Sequence, residues 1–130
     1  MENYIVETEN LVKTYKLPGE EVKALRGINF SIKEGDFVSI MGPSGSGKTT
    51  LLKLIAGILK PQRGRILIDG EDPEVYRVRG LISLVFQDHG LLPWMRVWDN
   101  VALPLRIRGL GRDVIEERVR SSLERVGMLR

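Results

Sequence analysis

The densest chemical signal in the sequence is Gly42-Pro43-Ser44-Gly45-Ser46-Gly47-Lys48-Thr49, followed at once by Thr50. It fits G-x-x-x-x-G-K-[ST] at every fixed position, the spacing of a loop that cradles phosphates. Gly42, Gly45 and Gly47 are expected to free the backbone so that its N–H groups turn toward a ligand. Lys48 would bring a full positive charge to the β- and γ-phosphates, and Thr49 a hydroxyl to the Mg²⁺ bridging them. A helix beginning just after the loop would add about half a positive charge at its N-terminus.

Such a loop works only if a strand delivers it and a helix leaves it. Phe37 to Met41 is a nearly continuous apolar run, expected to be a strand buried on both faces of a parallel sheet. Behind the loop, Leu51, Leu52, Ile55, Ile58 and Leu59 fall three and four apart. That periodicity predicts a helix from Lys48 to Leu59, with Gly57 and Pro61 marking its end. Upstream, Ile5 to Thr14 is rich in β-branched residues, Pro18-Gly19 reads as a turn, and Ile28 to Ile32 alternates with period two. Downstream, Gly64 to Gly70 reads as a strand ending in an Asp-Gly turn, and Leu81 to Phe86 as another buried strand. Trp98 to Leu103 opens a helix that Pro104 should break, and Arg112 to Val126 is amphipathic. In that last helix Val114, Ile115, Val119, Leu123 and Val126 are placed inside.

The order strand, glycine-rich loop, helix, strand defines an α/β fold, a P-loop NTPase core. It is preceded by an antiparallel β portion over 1–36 and occupies 37–87. The start of a helical subdomain follows over 88–130.

With 42% apolar and 28% charged residues, the 130-residue chain has the profile of a globular domain. No apolar run approaches the roughly 20 residues that span a bilayer, and Met1 to Tyr4 opens no secretory signal. Cysteine is absent, which excludes disulfides and thiolate metal sites and fits a reducing compartment. The net charge of +3 suits acidic ligands without selecting one.

Beyond the loop, A-L-R-G-I-N-F-S-I-K-E-G-D stands upstream, L-V-K-T-Y carries Tyr15, and L-V-F-Q-D-H-G-L-L-P-W carries Gln87. With these, the sequence resembles the ATP-binding subunit of ABC transporters over nearly its whole length. The resemblance implies that Tyr15 stacks on adenine, that Gln87 serves Mg²⁺ and senses the γ-phosphate, and that ATP with Mg²⁺ is the ligand. Lys48 and Gln87 would then be the catalytic residues, and Thr49 and Gln87 the metal ligands. It also implies a peripheral protein on the cytoplasmic face of the membrane, paired with a second ATP-binding subunit and with membrane-spanning permease subunits. No nucleic-acid partner is implied. The stretch L-L-P-W-M-R-V-W-D-N-V-A-L is similar to importers of the nitrate, sulfonate and taurine type, and its composition also suits lipoprotein-export relatives.

Other features carry less. Ile66-Leu67-Ile68-Asp69 imitates an apolar strand with a metal-binding aspartate, but Gly70 makes it an Asp-Gly turn. His89, the only histidine, sits in a polar stretch and receives no role. The arginines at 106, 108, 112, 118 and 120 are interspersed with Glu116 and Glu117 and read as a solvated face. Leu91-Leu92-Pro93-Trp94-Met95 is either a packed loop or a docking surface.

The sequence contains no L-S-G-G-Q signature, and no apolar strand ending in Asp-Glu follows Gln87. In the resembling family these elements lie further along, so the expectation is a chain cut short of its signature and metal-binding strand. A water-positioning group is worth about 10²- to 10⁴-fold in rate, and donors supplied in trans about 10³- to 10⁵-fold. This stretch should therefore belong to an ATPase and scarcely hydrolyse by itself. The rival readings are another P-loop enzyme such as a kinase, an ABC ATPase acting on DNA or ribosomes, and a non-catalytic nucleotide-binding remnant. A kinase would have no use for Tyr15 or Gln87, and the DNA-acting relatives would insert coiled coil where Asp88 to Arg130 has none.

Overall fold

The computed structural model describes residues 3–129. They divide into two compact units, one ending at Leu84 and one beginning at Val85.

The first unit is built on a hairpin. Strand β1 (Tyr4–Leu17) turns through Pro18-Gly19 into β2 (Glu20–Lys33). Proline presets the first turn position and Gly19 supplies φ 83° at the second, so the turn chemistry read from the sequence holds. The several short strands expected here are two continuous ones. What looked like interruptions are register steps within the β1–β2 ladder, at residues 8–11 and 13–14 among others. At the first of these Asn10 has φ 46°, and its backbone N–H donates to the Asn29 side chain at 2.8 Å. Ile28, Phe30 and Ile32 are half-buried and alternate with exposed Asn29 and Ser31, as the period-two pattern requires.

Strand β3 (Arg63–Ile68) adds antiparallel to the other side of β1, giving the order β2-β1-β3. Helix α1 (Lys48–Ile55) lies over this sheet. Val6, Leu11, Leu25, Leu51, Leu54, Ile66 and Ile68 form the core between them. Each fully buried leucine there contributes about 2 kcal/mol of transfer free energy. Helix α1 is shorter than its periodicity suggested. Gly57, at φ 69°, ends it, and the Ile58 and Leu59 amides fold back onto the Lys53 carbonyl. Leu51 and Leu54 face the sheet, while Leu52 and Ile58, expected on that face, are exposed.

Two expected strands do not form. Residues 37–41 and 81–86 have no strand conformation, and Phe37, Met41 and Val85 are 97%, 91% and 95% exposed. A run of this composition becomes a two-faced buried strand only when neighbouring strands pair with it. The described residues contain only the three-stranded antiparallel sheet, and it offers these runs no partner.

Helix α2 (Pro73–Val78) was not anticipated, although its start is written in Asp72-Pro73-Glu74. The Asp72 carboxylate accepts from the Glu74 amide at 2.8 Å and Pro73 occupies the first turn. Asp69 and Gly70, at φ 47° and 77°, make the expected turn ahead of it. Tyr76 of α2 donates its hydroxyl to the Asp69 carboxylate at 2.9 Å, which holds the phenol above its ordinary pKa. Asp69 is thus committed to closing the turn. Because the neutral phenol is the favoured form, this small contribution is present at neutral pH and lost as pH rises through the shifted value.

In the second unit, helices α3 (Val97–Ile107) and α4 (Arg112–Arg125) pack through Ala102, Val119 and Leu123. Pro104 lies inside α3 and does not break it. It is exposed and close to the C-terminal end, so its missing N–H costs one ladder bond and its ring meets little. Val114 and Val126 of the amphipathic stretch point outward, at 40% and 67% exposed, because α3 covers only one narrow side of α4. From the first turn of α3 the side chain of Asn100 gathers the preceding loop. It accepts from the Leu92 amide at 2.8 Å and donates to the carbonyls of Leu92, Met95 and Arg96, each at 3.1 Å. Arg106 and Arg120 pair with Asp99 and Glu116. Among the described residues no helix is long and apolar enough to cross a membrane.

Candidate nucleotide-binding site

The glycine-rich loop wraps around its own lysine. The Lys48 ammonium donates to the carbonyl oxygens of Gly42 at 2.5 Å and Pro43 at 2.7 Å, and reaches Ser46 Oγ at 3.2 Å. The chain is closed further by the Ser46 amide, which donates to Pro43 O at 3.2 Å. Gly47 caps α1 with φ 93°, a conformation open to glycine, and no side chain caps the first turn. No acidic residue lies in that turn either. The first-turn amides, the helix dipole and the ammonium therefore add up to one positive, exposed surface suited to an anion.

Two of the loop glycines, Gly47 and Gly42, have different reasons. Gly47 has the positive φ and also a close neighbour. A Cβ there would lie 2.5 Å from the carbonyl oxygen of Ala24. Ala24 is the residue skipped where β2 changes register, between Leu25 opposite Lys13 and Lys23 opposite Thr14. The loop is thus seated on a bulge of the sheet, a relation no local pattern announces. Gly42, by contrast, lacks the positive φ expected of it. It is small because a Cβ would stand 2.7 Å from Ser46 Oγ, at the place where Lys48 folds in.

Tyr15, which spacing alone could not place, comes to this site. Its hydroxyl lies 3.2 Å from Oγ1 of Thr50, on the first turn of α1. The Lys13 ammonium stands 5.9 Å from the centre of its ring. Strand β1 and helix α1 hold these groups together across 35 residues of chain. Thr49 is exposed on the same turn, beside Lys48. Gln87 is an exposed residue of the second unit, in the bend that follows Phe86. Among the described residues no three His, Cys, Asp or Glu side chains gather as a metal site. Ser46, named with the loop in the sequence, has its hydroxyl 3.2 Å from the Lys48 ammonium.

The geometry is that of a glycine-rich loop closed on its lysine and set, with the helix it opens, against an antiparallel sheet. The family described as ABC transporter matches residues 25–130, and the chain belongs to it. The spermidine/putrescine import ATP-binding protein PotA of Mycoplasma capricolum is 41% identical over 131 residues, covering 98% of this chain and 36% of that protein. The trehalose/maltose import ATP-binding protein MalK of Thermococcus litoralis is 41% identical over 91% of this chain and 33% of its own length. A solved dimeric structure of the ATP-binding cassette MJ0796 in a post-hydrolysis state, bound to ADP and Pi, superposes with a TM-score of 0.79. It is 37% identical and covers 92% of this chain and 56% of that one. MJ0796 comes from Methanocaldococcus jannaschii. The chain therefore spans about a third to a little over half the length of these relatives. The fold is a partial P-loop NTPase domain of the ABC type, in which the antiparallel portion and the loop-bearing helix are formed.

Proposed function

We propose that this chain supplies the ATP-binding half-site of an ABC transporter ATPase. The observation that carries the reading is the meeting of Tyr15 with Thr50 beside the Lys48 loop. An aromatic ring and a glycine-rich loop then lie on one small unit, which supports a ligand with a base and phosphates. In this reading Gly42, Pro43, Ser44, Gly45, Ser46 and Gly47 offer backbone around the phosphates. Lys48 exchanges its loop carbonyls for phosphate oxygens, and Tyr15 stacks on the base.

Mg²⁺ fits the donor set. It binds few protein oxygens when phosphates are present, and the exposed Thr49 hydroxyl beside Lys48 is of the right kind. When bound, the ion would neutralise charge on the phosphates. Gln87 is proposed as its second protein partner and as a catalytic group, on the strength of the family resemblance that L-V-F-Q-D-H-G-L-L-P-W carries.

The complete protein would work as a pair of ATP-binding subunits on the cytoplasmic face of a membrane, docked to permease subunits. The names of the relatives, which include polyamine and sugar importers, support a transport role and span several cargoes. The exposed Leu91 and Trp94 on the Asn100-gathered loop supply an apolar contact for such a permease. The 130 residues lack the signature and metal-binding strand motifs, so turnover by this chain alone is expected to be below detection.

The base-stacking role is tested by ATP titration of Tyr15→Ala and Tyr15→Phe. Stacking on an aromatic ring is worth about 1–3 kcal/mol. Tyr15→Ala should therefore weaken ATP by ~10-fold or more, while Tyr15→Phe stays within ~3-fold. Equal affinity for all three proteins would remove Tyr15 from the site.

A further inference from the structure

We propose a second anion site, for a small phosphorylated molecule, on the hairpin at the end of the sheet where β3 begins. A concavity of about 670 Å³ lies there. Its walls carry four cations, Lys16, Lys23, Arg26 and Arg63, against one carboxylate, Glu21.

The strand register fixes this arrangement. Val12 is paired with Arg26 on one side and with Arg63 on the other, so the two guanidinium groups flank it on one face. Two residues along, Thr14 is paired with Lys23, and two further, Lys16 with Glu21. Three successive rows thus present cations on a single face. β3 pairs no further than Val12, which leaves a notch beyond its first residue. The notch is closed at its side by Gln62, whose side-chain oxygen accepts from the Thr14 amide at 2.5 Å.

These cations are free. Lys60, Arg65, Arg77 and Arg79 of the same unit each hold an ion pair, at 2.6, 2.9, 3.6 and 2.8 Å. Among the described residues none of the four lining cations has an ion pair or a side-chain hydrogen bond. Like charges gathered on one sheet face oppose folding unless an anion offsets them. Two arginine forks across a narrow floor suit phosphate oxygens, which they can grip two at a time. The volume of this open concavity lies within the usual range for small-ligand sites, and the cations stop after three rows. A nucleic acid would call for a longer basic stripe.

Inorganic pyrophosphate, without magnesium, is the probe, titrated into the full 130-residue chain carrying Lys48→Ala so that the phosphate loop is disabled. Saturable binding is expected to persist. It should weaken ~10-fold or more with Arg26→Glu and Arg63→Glu together, and also between ~50 and ~200 mM salt. Arg26→Lys with Arg63→Lys, which keeps charge and loses the forks, should fall between. Circular dichroism checks folding. If the double reversal unfolds the chain, Lys23→Gln, at an exposed position, should still weaken the probe ~3-fold. Absence of pyrophosphate binding in the Lys48→Ala chain, or binding indifferent to these substitutions, overturns the proposal. So does binding of phosphatidylglycerol vesicles or a single-stranded oligonucleotide through these residues while pyrophosphate is ignored. Loss of ATP affinity alone would bear on the phosphate loop and leave this site standing.

Discussion

Gly64→Ala should unfold the first unit or lower its melting temperature by more than ~10 °C. Gly64 is the second residue of β3 and has φ 75°. A Cβ there would stand 2.2 Å from the carbonyl oxygens of both Glu9 and Asn10. Those oxygens belong to the bulge that Asn29 braces, so they are backbone and cannot swing aside. The left-handed conformation costs about 1 kcal/mol with a side chain, and forcing a rigid overlap apart costs about 1–3 kcal/mol more. Gly19→Ala is the control. It carries a similar φ of 83° with nothing within 4 Å, and should cost only about 1 kcal/mol. Thermal unfolding followed by circular dichroism separates the two. Equal, small shifts would mean that β3 does not run against the bulge.

Gly47→Ala should damage stability and nucleotide affinity together. Its φ of 93° and the 2.5 Å approach to Ala24 O act at the point where the loop sits on β2. Relief requires the loop to lift, and lifting turns the first amides of α1 away from the phosphates. We expect a loss of about 2–4 kcal/mol in stability. Affinity for ATP should fall by ~30-fold or more, because charge-assisted hydrogen bonds are lost as a set. Gly45→Ala, at φ 77° with open space around it, should cost only about 1 kcal/mol in stability. Denaturant melts and ATP titrations on both variants decide the matter. Matching stability losses would detach the loop from the sheet bulge.

The sequence made visible what is local. Pro18-Gly19, the glycine-rich loop, the start of α1 and the Asp69-Gly70 turn each depend on the conformational range of one or two residues. The helical faces of α3 and α4 were legible in outline. Val114 and Val126, placed inside by that pattern, are exposed, because a 3.6-residue period fixes direction and says nothing of how much a neighbour covers. The same limit governs residues 37–41 and 81–86. Their apolar runs state what a strand would need, and pairing partners decide whether it forms. The bulges at Asn10 and Ala24 left no readable mark, since a register step depends on two strands at once. Helix α2 was there to be read in Asp72-Pro73-Glu74. It is only six residues long, too short for periodicity to show.

At the site, the loop residues and Lys48 followed from spacing, and Tyr15 and Gln87 came from the family resemblance. The fold brings the Tyr15 hydroxyl within 3.2 Å of Thr50 on the first turn of α1, a proximity that spacing does not show. The role of Gln87 rests on that resemblance.

A calorimetric titration of ATP with magnesium into the folded chain, beside the same titration into Lys48→Ala, bears most directly on the nucleotide reading. The wild-type chain should bind one ATP per molecule, more tightly with magnesium than without. Lys48→Ala should bind ~30-fold or more weakly, since one ammonium to phosphate is worth about 2–3 kcal/mol. A folded wild-type chain with no magnesium-dependent heat of binding, or a lysine variant of equal affinity, would contradict the account.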